Sequence, residues 1–157
     1  MSNFELINKS TVSDNKLIKI IEFVKSPRLA PCKMVIKNSK NHAYDAGFYF
    51  GLYNEPYIIA RFASHKAFPF KFQFRSDKSA RKGYYDGVYD FPTKTHCLVY
   101  TLAHELRHWY QYNHPKKRFW LYTNPQRLAE NDADAYALKK LDEFNLLREE
   151  GIDIFKD

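Results

Sequence analysis

The chain is poor in cysteine and glycine, and it has no long hydrophobic run. Two cysteines, Cys32 and Cys97, are too few for a disulfide scaffold, so a cytoplasmic location is the expectation. No apolar stretch approaches the ~18 residues that a membrane-spanning helix needs, which excludes a transmembrane protein and gives no reason to expect a membrane partner. The first nine residues hold no charged head followed by an apolar stretch, so no secretory leader is expected. Only five glycines occur, and four of them (Gly47, Gly51, Gly83 and Gly87) precede residue 88. No proline follows Pro125. There is no linker-like Gly/Ser/Pro tract, no internal repeat and no low-complexity segment, so residues 1–157 read as a single domain.

The residues that are present describe a folded chain. Hydrophobic residues make up 45% and aromatics 17%, which excludes a disordered polypeptide. The net charge is +7, and it is unevenly spread. Residues 1–94 hold 16 basic and 8 acidic side chains, whereas residues 95–157 hold 9 and 10. Much of the surplus lies in residues 61–82, at Arg61, Lys66, Lys71, Arg75, Lys78, Arg81 and Lys82. Such a stretch raises nucleic acid as a partner. Against that, Phe68, Phe70, Phe72 and Phe74 alternate with Lys71 and Arg75, so a strand would put rings and cations on opposite faces, whereas stacking platforms need them together.

The pattern of elements predicts an α+β fold. Asp14 can cap a helix carrying Leu17, Ile18, Ile20, Ile21 and Val24, which Pro27 stops. Residues 34–36, 48–53, 57–62 and 68–74 read as strands of a small, mostly antiparallel sheet, with Asn54, Glu55 and Pro56 joining two of them. Asp86-Gly87 reads as a tight turn. Thr93 or Thr95 can cap a helix that runs to about Tyr112 before Pro115. Asn124 and Pro125 can open a last long helix that reaches about Glu149.

The chemistry lies in those two late helices. His104-Glu105-Leu106-Arg107-His108 is an H-E-x-x-H motif. Residues four apart sit one turn apart on one helix face, so two imidazoles can reach one metal ion with little strain. Glu105 is rotated about 100° from His104 and is therefore better placed as a base for water than as a ligand. Leu98, Val99, Leu102 and Ala103 suggest that this helix is buried, and buried histidines need partners. Glu130 is the strongest third ligand, and Asp134, one turn further on, can fix the tautomer of a ligand histidine. Both continue the stripe Ala133, Ala137, Leu141 and Phe144. Asp132 is the local rival but points about 200° away from Glu130. His114 is an alternative third ligand by its distance from His104, although Gln111 stands where the metzincin pattern has glycine and no later methionine exists. His42, His65 and His96 have no motif context, and Cys97 reads as a small apolar residue.

Ala-His-Glu-Leu-Arg-His and the later Glu-Asn-Asp-Ala-Asp-Ala-Tyr-Ala resemble the H-E-x-x-H and E-x-x-x-D segments of gluzincin-type zinc metallopeptidases, and of small metallopeptidases of bacteria and their phages. The resemblance covers residues 93–140. It implies a zincin-like domain binding Zn²⁺ through His104, His108 and Glu130, with Glu105 as catalytic base and Asp134 supporting a histidine. The implied substrate is a peptide or protein, held by an edge strand above the metal, for which residues 57–62 or 68–74 are the candidates. The alternative is a metal-stabilised regulatory or DNA-associated binding domain. The oligomeric state is left open.

Overall fold

The computed structural model describes residues 3–39, 44–49, 56–62, 66–74, 87–123 and 127–155. The chain is α+β. It opens with a strand, β1 (Phe4–Lys9), followed by helix α1 (Asp14–Val24) and strand β2 (Cys32–Asn38). Strands β3 (Tyr44–Tyr49), β4 (Tyr57–Phe62), β5 (Phe70–Phe74) and β6 (Gly87–Phe91) come next. Helix α2 (Lys94–Asn113), a 3₁₀ helix (Arg118–Tyr122) and helix α3 (Arg127–Glu149) complete the order.

The four-stranded sheet has the order β1-β2-β4-β3. This corrects the expectation of a mostly antiparallel sheet: β1 and β2 pair in parallel, as do β2 and β4, and only β3 runs against β4. β2 and β4 run parallel because β3, which lies between them in sequence, is set outside β4; for β1 and β2 the reason lies at the start of the chain. Parallel neighbours need a crossover connection, and α1 supplies one between β1 and β2. Residues 4–9 carry no clean alternation that marks a strand on its own, and their pairing partner lies beyond the helix. A separate two-stranded ladder joins β5 to β6 antiparallel, with Phe70 opposite Phe91.

Several local readings shift. Ser13, not Asp14, is the N-cap of α1, and its hydroxyl accepts from the Lys16 N–H. β3 covers 44–49, starting before the expected 48–53, whose residues 50–53 lie outside the described residues, and pairs Tyr49 with Tyr57. Gly87 opens β6. Thr93 caps α2 and accepts from the His96 N–H. Residues 50–55, 75–86 and 124–126 lie outside the described residues, so the readings at Asn54, Glu55, Asp86, Asn124 and Pro125 fall there. Gly151, at φ +75°, ends α3, and the Ile152 N–H reaches back to the Leu147 carbonyl.

α2 is the centre of the molecule. It packs against α1, α3, β3 and β4. Leu98, Val99, Leu102, Ala103 and Leu106 are buried along it. α1 brings Leu17, Ile20, Ile21 and Val24 to the core at helical spacing, and the sheet brings Met34, Ile36, Ile58, Ala60 and Phe62. α3 meets α2 through Ala129, Ala133 and Ala137, all fully buried, with Leu141 and Phe144 beyond. Those alanines lie four apart and let the two backbones approach closely, which sets up the site. No helix among the described residues is long and apolar enough to cross a membrane.

Candidate metal centre

His104 and His108 lie one turn apart in the middle of α2 and are 6% and 5% exposed. Their Nε2 atoms are 3.0 Å apart. The Glu130 carboxylate faces both from α3, with Oε2 3.3 Å from His104 Nε2 and Oε1 3.4 Å from His108 Nε2. One ligand atom from each residue lies within 4.8 Å of the other two, and this cluster could hold a metal ion.

The contacts behind the rings, an ion-pair contact at His104 and a hydrogen bond at His108, decide what faces inward. His104 Nδ1 lies 3.0 Å from Asp134 Oδ1, which also accepts from the Tyr100 hydroxyl at 2.7 Å. His108 Nδ1 lies 2.9 Å from Gln111 Oε1. A carboxylate and an amide oxygen only accept, so both Nδ1 atoms carry the proton. On a neutral ring each Nε2 is then a lone pair. Two such lone pairs 3.0 Å apart, facing a carboxylate, repel one another unless a metal cation or a proton stands between them. The donor set therefore fits a divalent metal held by His104, His108 and Glu130.

The electrostatics agree. Burial opposes charge on His104, but its contacts with Asp134 and Glu130 outweigh that and raise its pKa to about 10. In metal-free protein a proton on that ring takes the place of the cation. Burial alone would raise the carboxyl of Glu130, yet the two histidines hold it well below the ordinary carboxylate range. Glu105 is 2% exposed, with Oε1 3.9 Å from His104 Nε2. Burial pushes its carboxyl up, and the nearby histidines offset only part of that. Its Oε2 has no hydrogen-bond partner among the described residues.

His114 stands apart from this cluster. It caps the C-terminus of α2, its ring lies against Tyr110, and Nδ1 accepts from the Lys116 N–H. Asp132 does not join the three ligands either. It takes both ends of the Arg107 guanidinium and a bond from Gln111. Tyr100, Arg107 and Gln111 were not singled out as site residues by sequence reasoning. Their only signal is spacing: Tyr100 is one turn before His104, and Gln111 is three residues after His108. His96 is buried and bonded to Thr93 and Asn145, and Cys97 is fully buried.

Residues 57–62 cannot serve as a substrate-pairing edge, because β4 has partners on both sides. Among the described residues the edges of the four-stranded sheet are β1 and β3, β3 packs against α2, and the other candidate, 68–74, holds β5, which pairs with β6 on one side. Within the basic stretch, Lys66 and Lys71 are exposed and Arg61 is half-buried on β4. Arg75, Lys78, Arg81 and Lys82 lie outside the described residues, as do His42 and His65. Comparison with protein-family models, with curated proteins and with solved structures gave no match.

Proposed function

We propose that this chain is a zinc-dependent peptidase with a zincin-like, gluzincin-type site. One observation carries the reading. His104, His108 and Glu130 converge, and a second carboxylate, Glu105, stands beside them with one oxygen unpartnered among the described residues. Two imidazoles and one carboxylate are a donor set that zinc favours, and three protein ligands leave a coordination position open. When bound, the ion supplies Lewis acidity, lowering the pKa of water and polarising a carbonyl oxygen.

The residues around it divide the remaining work. Glu105 Oε2 takes the proton of the attacking water and returns it to the leaving amine. Its burial raises its proton affinity, which suits a group that must hold a proton in transit. Asp134 holds His104 by Nδ1, and Tyr100 holds Asp134. An extended peptide can add as a strand to the edge of β3, where backbone pairing would hold a substrate with little demand on its sequence.

The test is Glu105→Gln. The expected result is full zinc content with loss of hydrolysis of unfolded protein substrates. Zinc held by the native chain with no hydrolysis of any protein, including itself, would instead favour the metal-stabilised binding domain.

A further inference from the structure

We propose that Gln111, Asp132 and Arg107 act as a positioning chain that dictates which nitrogen of His108 faces the metal, so that the affinity of the site is set partly by residues near the surface. This rests on the metal-site reading above.

The inference comes from the bonding of one amide. Gln111 is fully buried. Its nitrogen donates to the Ala129 carbonyl at 2.8 Å and to Asp132 Oδ2 at 2.9 Å. Both partners only accept. Turned over, the amide would set its oxygen against two acceptors and its nitrogen against a ring N–H. The orientation is therefore fixed, and Oε1 must face His108 Nδ1. That places the proton on Nδ1 and the lone pair on Nε2.

Asp132 is fixed in turn. Arg107 Nε donates to Oδ2 at 2.7 Å and Nη2 to Oδ1 at 3.0 Å, the fork geometry of a strong guanidinium–carboxylate pair. The guanidinium lies over the Tyr110 and Tyr136 rings, 4.3 and 5.2 Å from their centroids. Arg107 occupies a variable position of H-E-x-x-H, and here it reaches across to α3. The chain also makes the two histidines unequal. His104 is backed by a carboxylate, whereas His108 is backed by a neutral amide that depends on a distant ion pair.

The experiment measures zinc affinity by chelator competition, and the His108 tautomer by ring ¹⁵N NMR on metal-free protein. Native protein, Gln111→Leu, Asp132→Ala and Arg107→Lys are compared. Gln111→Leu should weaken zinc by roughly 10–100-fold, and Asp132→Ala by roughly threefold to tenfold. In a His104→Ala background, where no second ring faces Nε2, His108 should show one Nδ1–H tautomer, and adding Gln111→Leu should give a mixture with Nε2–H. Rings and affinity unchanged in Gln111→Leu overturn the proposal. Should that variant not fold, the same result in Asp132→Ala and Arg107→Lys, whose sites are only partly buried, overturns it. A native chain that binds no zinc overturns the metal reading, while the tautomer still judges the positioning chain separately.

Discussion

Removing one oxygen from Tyr100 tests how rigidly the site is held. Tyr100 is 1% exposed and donates to Asp134 Oδ1, which is itself 2% exposed and lies 3.0 Å from His104 Nδ1. In Tyr100→Phe the ring contacts with Phe91 at 5.7 Å and His104 at 6.0 Å persist, so packing is nearly conserved. The phenylalanine leaves no unsatisfied atom of its own. What is lost is a hydrogen bond to a buried charged acceptor, a contribution of about 1.5–3 kcal/mol. A domain of this size shifts by roughly 2–4 °C per kcal/mol, so Tm should fall by about 3–12 °C. Calorimetry on metal-free protein is the assay, because bound zinc would mask part of the loss. Zinc affinity should fall as well, since Asp134 then holds His104 with one anchor fewer. A metal-free Tm within about 1 °C of the native value would refute the reasoning, showing that the Tyr100–Asp134 bond adds nothing over its solvated alternative.

Two further predictions come from other elements. Ala133→Leu should cost about 1–3 kcal/mol by overpacking the α2–α3 contact, and should weaken zinc binding by moving Glu130 away from the histidines; denaturant melts and chelator competition read both effects. Burial depresses the pKa of His96 below its ordinary 6.5, with the Asn145 bond opposing and Arg148 adding to the shift. A depressed folded pKa means that the unfolded chain binds the proton first. His96 therefore contributes stability that is full above about pH 6.5 and is lost as pH falls further, and in urea melts His96→Gln should lose less stability over that window than the native chain.

The helices were more legible in the sequence than the sheet, for physical reasons. α1, α2 and α3 announce themselves by apolar residues at helical spacing, and for α1 and α2 by nearby caps and prolines, all of which are local signals. β1 is six residues long, and its parallel partner lies beyond a helix, so nothing near Phe4 or Leu6 reveals it. Missing β1 meant missing the parallel β1–β2 pair, whereas β2 and β4, both read as strands, pair in parallel because β3 lies outside β4. The cluster was legible because His104 with His108, and Glu130 with Asp134, share a four-residue spacing that a helix turns into one face. Gln111 was legible only as a residue that is not glycine. Its role depends on Ala129 and Asp132 of a different helix, and no spacing within α2 encodes that. Asp132 was rightly placed off the Glu130 face, but its partner Arg107 emerges only once α2 and α3 are packed.

The most direct test of the account is the zinc content after dialysis of the native chain, His104→Ala, His108→Ala, Glu130→Ala and His114→Ala. The account predicts one zinc per native chain, loss of it in the first three variants, and retention in His114→Ala. A full equivalent retained by Glu130→Ala together with loss in His114→Ala would contradict it.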